Sequence, residues 1–499
     1  MNKKLFWLIF SLITFLAVGL RFYGITEFPP SLYWEEVALG YDAYSILETG
    51  KDHHGNPFPI VAFESFGDWK PSLYFYALVP FIKFLGLTEL AVRLPAAISG
   101  VAIVIGVGVL IRQFIKEKQK DSLQLVAMGI TAISPWAIQF SRAGWEVNLA
   151  TTLVLWGVIL FMNGFDKKKN SLIFSLGGVV LLCLSMYAYH AARIVAPLLG
   201  LGLLILWGWK RANKKLLHML FFSLTALLIV SPIIFSLGKS QTTQRFAETS
   251  IFSNSQVIVE SNSRKEQAGD TLISQLIYHR YVFFGKEILN NFFDHFRADF
   301  LFVSGDINPR HSIQYMGTFY HLEAVFLLLG FYALFSKKIK YRWFLIWWLV
   351  IGIMPAAITK TTPHALRILP TLPVWIILIS LGIKQSLILF EKYKKIVFIL
   401  ILITYLGEGI MFWRFYSKIY PNLYASEWQY GYKEAVMELE NQRQKNPQET
   451  IYFSRKKGRP AMYYWFYTQT DPREVQNANS KVKKDQGEFL EFKNIRFIE

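Results

Sequence analysis

Cysteine is almost absent. Cys183 is the only one in 499 residues, so no disulfide can form within the chain and redox chemistry does not report its compartment. Sequence repeats and low-complexity segments are lacking as well. Acids are scarce: 35 Asp and Glu stand against 53 Lys and Arg, for a formal charge of +18. In a soluble protein that excess would point to nucleic acid. Here many Lys and Arg sit in short loops between apolar runs, where they orient a membrane protein, so nucleic acid is excluded as a partner. The polar connections of a multidomain soluble chain are also missing. What is present is 53% hydrophobic and 16% aromatic residues, with a mean hydropathy of +0.30, and the bilayer is the solvent that fits.

A spanning helix needs about 20 apolar residues, and about eleven candidates occur, at roughly 5–22, 92–111, 122–140, 147–165, 171–188, 194–209, 216–237, 317–336, 341–358, 367–390 and 396–413. The first follows Met1-Asn2-Lys3-Lys4 and is closed by Arg21-Phe22-Tyr23 without a small-residue cleavage site, so it reads as a retained span. Basic loops run from Arg112 to Lys120, over Lys167-Lys168-Lys169, from Lys210 to Lys215, from Lys337 to Arg342 and from Lys392 to Lys395. They fall at every second crossing. Placing them in the cytoplasm with the N-terminus satisfies the positive-inside rule along the chain. The outer face of the plasma membrane then carries a first loop of about 24–91, short loops near 141–146, 189–193 and 359–366, a long loop of about 238–316, and a tail. Residues 35–48 and 71–87 read as helices at the membrane surface, the second interrupted by Pro80 and Lys83. In the tail, Glu434 to Glu440 reads as a helix, and Ile451-Tyr-Phe-Ser and Tyr463-Tyr-Trp-Phe-Tyr read as strands of a small α/β lobe. The fold class is an all-α polytopic membrane protein with a small extracytoplasmic α/β lobe; the boundary falls after residue 415, with the lobe at 416–499.

Each outer loop carries polar residues that topology does not require. Glu35-Glu36 follows the first span; carboxylates favour a helix start, and one of them can also serve as a general base tuned by the other. In Asp68-Trp69-Lys70-Pro71, Lys70 is either a snorkelling lysine or a cation for a phosphate held by Asp68. Arg142 and Glu146 stand four apart, as a local ion pair or with Glu146 facing the cavity of Glu35. His190 and Arg193, then His364 and Arg367, repeat a His/Arg spacing of three on the side where positive charge is not needed for orientation, which suits an anionic lipid headgroup. Asp306, Arg310 and His311 lie in a Gly/Asn/Pro turn and add phosphate or sugar contacts. His53-His54 reads as a solvated loop. A zinc site from His190, His364 and the glutamates lacks a tight ligand spacing, so no metal ligand and no cofactor is assigned, and a divalent metal has no support from spacing.

Three motifs carry a family resemblance: Glu35-Glu36 followed by Gly40-Tyr41-Asp42-Ala43-Tyr44; Asp68-Trp69-Lys70-Pro71-Ser72-Leu73-Tyr74 with Arg93-Leu94-Pro95; and Phe140-Ser141-Arg142 with an acid soon after. In this order the chain resembles the GT-C membrane glycosyltransferases, in the branch of the protein O-mannosyltransferases and the lipid A aminoarabinose transferase (glycosyltransferase families 39 and 83). The resemblance spans residues 5–415 and loosely the tail. It implies a polyprenyl-phosphate sugar donor, an extracytoplasmic glycan, lipid or protein acceptor, and inversion at the anomeric carbon. It also implies Lys70 and Arg367 as phosphate ligands and Glu146 as a second acid of the pocket. The family's leading acid is usually aspartate, and Glu35 stands in its place. A transporter or flippase would spread charges through the bilayer depth, whereas only Lys384 and Glu408 sit well inside the expected spans. An oligosaccharide ligase-type transferase would differ only in its donor, and a lipid-binding relative without chemistry would keep the same framework. Sugar, acceptor, prenyl length and oligomeric state are not legible.

Overall fold

A computed structural model describes residues 2–115, 120–166, 171–210, 215–236, 238, 248–336 and 339–499. The run Lys167-Lys168-Lys169, Lys337 and parts of the other basic loops and of the long outer loop lie outside the described residues. In the first half, ten helices follow in order: α1 (Lys3–Phe22), α2 (Trp34–Thr49), α3 (Leu73–Leu85), α4 (Glu89–Phe114), α5 (Lys120–Ile133), α6 (Pro135–Gln139), α7 (Glu146–Asp166), α8 (Ser171–Ser185), α9 (Ala192–Lys210) and α10 (Lys215–Ser236). Apolar helices at Glu323–Ser336, Arg342–Ala357, Leu372–Leu389 and Lys394–Arg414 complete the bundle. Every expected span therefore has its helix. Six helical stretches among the described residues are long and apolar enough to cross a membrane, and the others are shorter.

The shortening has local causes. The run expected at 122–140 breaks at Pro135, which cannot donate a backbone hydrogen bond; Ser134 caps the new start by accepting from the Ala137 amide at 3.4 Å. The run expected at 317–336 starts only at Glu323, whose carboxylate accepts from the Tyr320 amide at 2.8 Å and the Tyr405 hydroxyl at 3.0 Å. Close helix approach depends on small residues: a Cβ on Gly178 of α8 would lie 2.6 Å from the Gly157 carbonyl of α7. At the periphery, α1 and Lys394–Arg414 turn Leu8, Leu12, Phe15, Ile399, Leu402 and Leu406 outward, exposed surface that fits lipid.

The loop between α1 and α4 holds a helix at each of the two expected places and adds a hairpin. Helix α2 ends where Gly50 turns left-handed at φ +69°. Helix α3 runs unbroken through Pro80, with Phe84 exposed at its end. Between them β1 (Ala62–Ser65) pairs antiparallel with β2 (Asp68–Pro71). Phe66 and Gly67, at φ +53° and +73°, form the two-residue turn with positive φ at both central positions that matches strand twist.

The tail forms the α/β lobe, with one correction. Tyr463 to Tyr467 is not a strand but part of a helix, Pro460–Tyr467, opened by Pro460. Tyr463, Tyr464, Trp465 and Phe466 are all buried, so no polar face reveals a period of two or 3.6. Strand Ile451–Ser454 pairs parallel with Ile495–Ile498, which pairs antiparallel with Glu491–Phe492. The lobe shares its core with the first loop: Val37, Tyr41, Tyr74 and Val92 pack in one cluster with Val436, Trp465 and Phe492.

His53 and His54 are not solvated. His53 is buried with Nδ1 2.7 Å from the Asp42 carboxylate, and Asn479 of the lobe meets His54 twice, at Nδ1 (3.2 Å) and at its carbonyl (2.9 Å). Burial, then the neighbouring His53, lowers the His54 pKa to about 4. The unfolded chain takes up this proton near pH 6.5 and the folded chain does so only near pH 4, so the contribution of His54 is present above pH 6.5 and lost as pH falls toward 4. Asp42, raised to about 7 by burial, works in the opposite direction, so the comparison must be between variants. His54→Asn should flatten the loss of thermal stability between pH 7 and pH 5 relative to the unsubstituted chain. Parallel pH profiles would remove His54 from the balance.

Candidate functional site

The loops at one end of the bundle enclose a polar cavity of about 170 Å³. Its walls bring together Glu35 from the start of α2, Lys70 from β2, Glu146 from the start of α7, Arg310 and His311 from the long loop, and His364 and Arg367 from the loop before Leu372–Leu389. These positions span more than three hundred residues of sequence. Tyr33, Trp34, Trp145, Tyr189, Asn308 and Leu366 also line it.

At the centre, Lys70 forms an ion pair with Glu35. The Lys70 side chain is 4% exposed and that of Glu35 30%. Lys70 is placed by its hairpin and by a neighbouring loop: the Leu73 amide donates to the Tyr187 carbonyl at 2.8 Å, and His190 Nε2 meets the Trp69 carbonyl at 2.9 Å. Arg310 lies over the faces of Tyr33 and Trp34, at 5.4 and 5.1 Å from the ring centroids. Gln139 fixes its backbone by donating to the Arg310 carbonyl at 2.8 Å. Arg367 donates to the Thr359 hydroxyl.

Behind this wall Asp306 organises two loops. It is buried, and its carboxylate accepts from the Asn308 amide at 2.9 Å and the Ala365 amide at 2.7 Å, and meets His311 Nδ1 at 3.1 Å. Burial alone would raise its pKa; the charge of His311, its hydrogen bond and the charge of His364 outweigh burial and bring the pKa down to about 2. His364 is pushed well below the usual imidazole range, first by burial and then by His311 and Arg367. Asp306, His311 and His364 offer ligand atoms within 4.8 Å of one another, and are the residues that could hold a metal among those described.

The remaining candidates lie outside the cavity. Glu36 is fully buried and serves the framework: its carboxylate accepts from Arg93 Nε at 3.0 Å, the Gly144 amide at 2.7 Å and the Tyr33 amide at 3.2 Å. Arg142 makes no ion pair with Glu146. Its guanidinium donates to the Leu20, Tyr23, Gly24 and Phe28 carbonyls at 2.8–3.1 Å and covers the Phe28 ring at 4.6 Å, which closes the C-terminal end of α1. Asp68 accepts from the Trp69 amide at 2.8 Å within the hairpin. His190 acts through Trp69, one residue from Lys70, and Arg193 bonds the Met186 carbonyl at 3.3 Å. His190 is therefore no partner of His364 in a metal site. Sequence reasoning missed His295, which is buried and accepts from the His364 amide at 3.1 Å. Only its place in Asp294-His295-Phe296-Arg297 hinted at a role.

A bundle of apolar helices with a charged cavity where loops meet at one end defines a polytopic membrane protein. No protein-family model matches the chain, and no curated protein matches it by sequence. Solved structures do. ArnT from Cupriavidus metallidurans bound to undecaprenyl phosphate is 11% identical over 96% of this chain and 88% of that one, with a TM-score of 0.54. The archaeal oligosaccharyltransferase AglB from Archaeoglobus fulgidus, in complex with an inhibitory peptide and a dolichol-phosphate, is 12% identical over 87% of this chain and 57% of that one, with a TM-score of 0.51. Identities this low show a shared fold, the GT-C fold.

The Glu36–Arg93 pair has no exposure on either side. Removing one partner of such a pair strands a buried charge, at a cost of about 3–5 kcal/mol. Arg93→Met should lower unfolding stability in detergent by that order. Lys433→Met, which breaks a half-exposed pair with Glu89, should stay within about 1 kcal/mol. Equal losses in the two variants would contradict the framework role of the Glu36–Arg93 pair.

Proposed function

We propose that the protein is an inverting glycosyltransferase that moves a sugar from a polyprenyl-phosphate donor to a hydroxyl of an extracytoplasmic glycan, lipid or protein. The observation that carries this reading is the Glu35–Lys70 pair set in one cavity with Glu146, Arg310 and Arg367. A carboxylate within reach of a bound hydroxyl is a general base, and clustered cations stabilise a phosphate as it gains charge. The likeness to ArnT and AglB, solved with undecaprenyl phosphate and with a dolichol-phosphate respectively, supports a lipid phosphate as the donor's leaving group.

In this reading the acceptor oxygen attacks the anomeric carbon while the carbon–phosphate-oxygen bond breaks. The hydroxyl proton passes to Glu35, and the bonding electrons leave with the polyprenyl phosphate. Lys70, Arg310 and Arg367 hold that phosphate, and no acid is needed to protonate it. Lys70 touches the base already, so on donor binding it is shared between the base and the phosphate. Glu146 orients the sugar, and the aromatic side chains Trp34, Trp145 and Tyr189 give it apolar walls. The cavity faces outward from the plasma membrane, with the N-terminus cytoplasmic and residues 416–499 as an outer lobe. Support for that orientation is the alternation of basic loops.

The test is release of polyprenyl phosphate by protein in lipid, from a panel of labelled donors. Glu35→Gln should lower kcat by about 10²–10⁴ with little change in donor KM, and full turnover would remove Glu35 as the base. Lys70→Ala should impair donor use far more than Lys83→Ala, an exposed lysine of α3. Equal effects would contradict the phosphate role, and inactivity of the unsubstituted chain toward every polyprenyl-phosphate sugar would overturn the reading.

A further inference from the structure

We infer that Asp306, His311 and His364 form a binding site for one divalent cation of the zinc class, with its fourth coordination position open to the cavity. Two loops far apart in sequence bring the three together. Two of the three pairs are spaced for a shared ion: His311 Nδ1 and His364 Nδ1 lie 3.1 and 3.7 Å from Asp306 Oδ2, and the ligand atoms of the whole set lie within 4.8 Å of one another. Metal bonds of 2.0–2.2 Å at tetrahedral angles put neighbouring ligand atoms about 3.3 Å apart, which lies between the two observed distances.

A plain Asp–His hydrogen bond accounts for His311 but leaves His364 unexplained. Its Nδ1 is buried and makes no hydrogen bond, an unusual state for a buried polar atom and the state expected of an imidazole lone pair directed at a metal. The surrounding bonds are those of a supporting shell. The Ala365 and Asn308 amides fix the carboxylate, and His295 accepts from the His364 amide. On metal binding, the proton that His311 Nδ1 shares with Asp306 leaves that nitrogen, and the ring protonates at Nε2 instead. His311 and His364 both line the cavity that holds Lys70, Arg310 and Arg367, so the remaining position is within reach of a solvent or ligand oxygen. Two imidazoles and one carboxylate with an open position suit zinc better than magnesium or calcium, which favour all-oxygen sets.

The full chain in lipid nanodiscs, stripped with chelator and titrated with Zn²⁺ or Co²⁺, should bind one equivalent, measured by elemental analysis after desalting. His364→Ala and Asp306→Asn should each weaken binding by at least 100-fold, while His190→Ala should leave it unchanged. X-ray absorption of the zinc-loaded unsubstituted chain should show two imidazoles in the first shell, a readout that needs neither activity nor a folded variant. Absence of a stoichiometric metal, or a first shell with fewer than two imidazoles, would overturn the site. Metal content is measured without turnover, so this result stands apart from the outcome for the glycosyltransferase reading.

Discussion

The structure depends on the buried Glu36–Arg93 pair. A fully buried carboxylate is tolerated only when its charge and its acceptor sites are met. Arg93 meets the charge, and amides from Tyr33 and Gly144 fill the remaining sites. Arg93 in turn donates to the Ile25, Pro29 and Ser31 carbonyls of the chain that enters α2. One ion pair thus clamps four parts of the molecule: the entry to α2, the start of α4, the turn before α7, and α2 itself. Glu35 is the next residue. With Glu36 clamped, the first turn of α2 cannot rotate, and Glu35 is left pointing into the cavity.

Arg142 extends the same principle. It spends its charge on carbonyls at the end of α1 and on the faces of Phe28, Trp413 and Tyr416, and so ties the first span to the last. Tyr420 adds a link from the tail: its hydroxyl donates to the Pro309 carbonyl at 2.7 Å and accepts from Trp428 Nε1 and Gln139 Nε2. The loop that carries Arg310 and His311 is therefore held from both sides, by the bundle and by the lobe. Rigid supports of this kind let residues from five loops meet without a large apolar core at the cavity itself.

The bundle was legible because bilayer length and loop charge are strong constraints that act on short windows of sequence. Every expected span has its helix, and the loops that carry Glu35, Lys70, Glu146, Arg310, His364 and Arg367 do converge. What sequence could not separate was a charge that faces the cavity from one that holds the frame. Glu35 and Glu36 are identical side chains at adjacent positions. Only the 100° turn between neighbouring helix residues sends one into the cavity and the other to Arg93. Arg142 and Arg193 were misleading for a related reason, since the nearby carbonyls that accept from them carry no sequence signature. The aromatic run in the lobe failed because burial on every side erases the period on which a helix or strand assignment rests.

The leading position shows how structure changes the weight of a substitution. Sequence alone offers glutamate where aspartate is usual, with a carboxylate one methylene further from the backbone. In the folded chain that carboxylate meets Lys70 across the cavity, from a backbone fixed by Glu36. The ammonium it meets is set by β2, and β2 is set by its hairpin turn and by His190. The first turn of α2 and the hairpin are therefore one constraint: the pair survives only while Glu36 holds the one and the turn at Phe66-Gly67 holds the other.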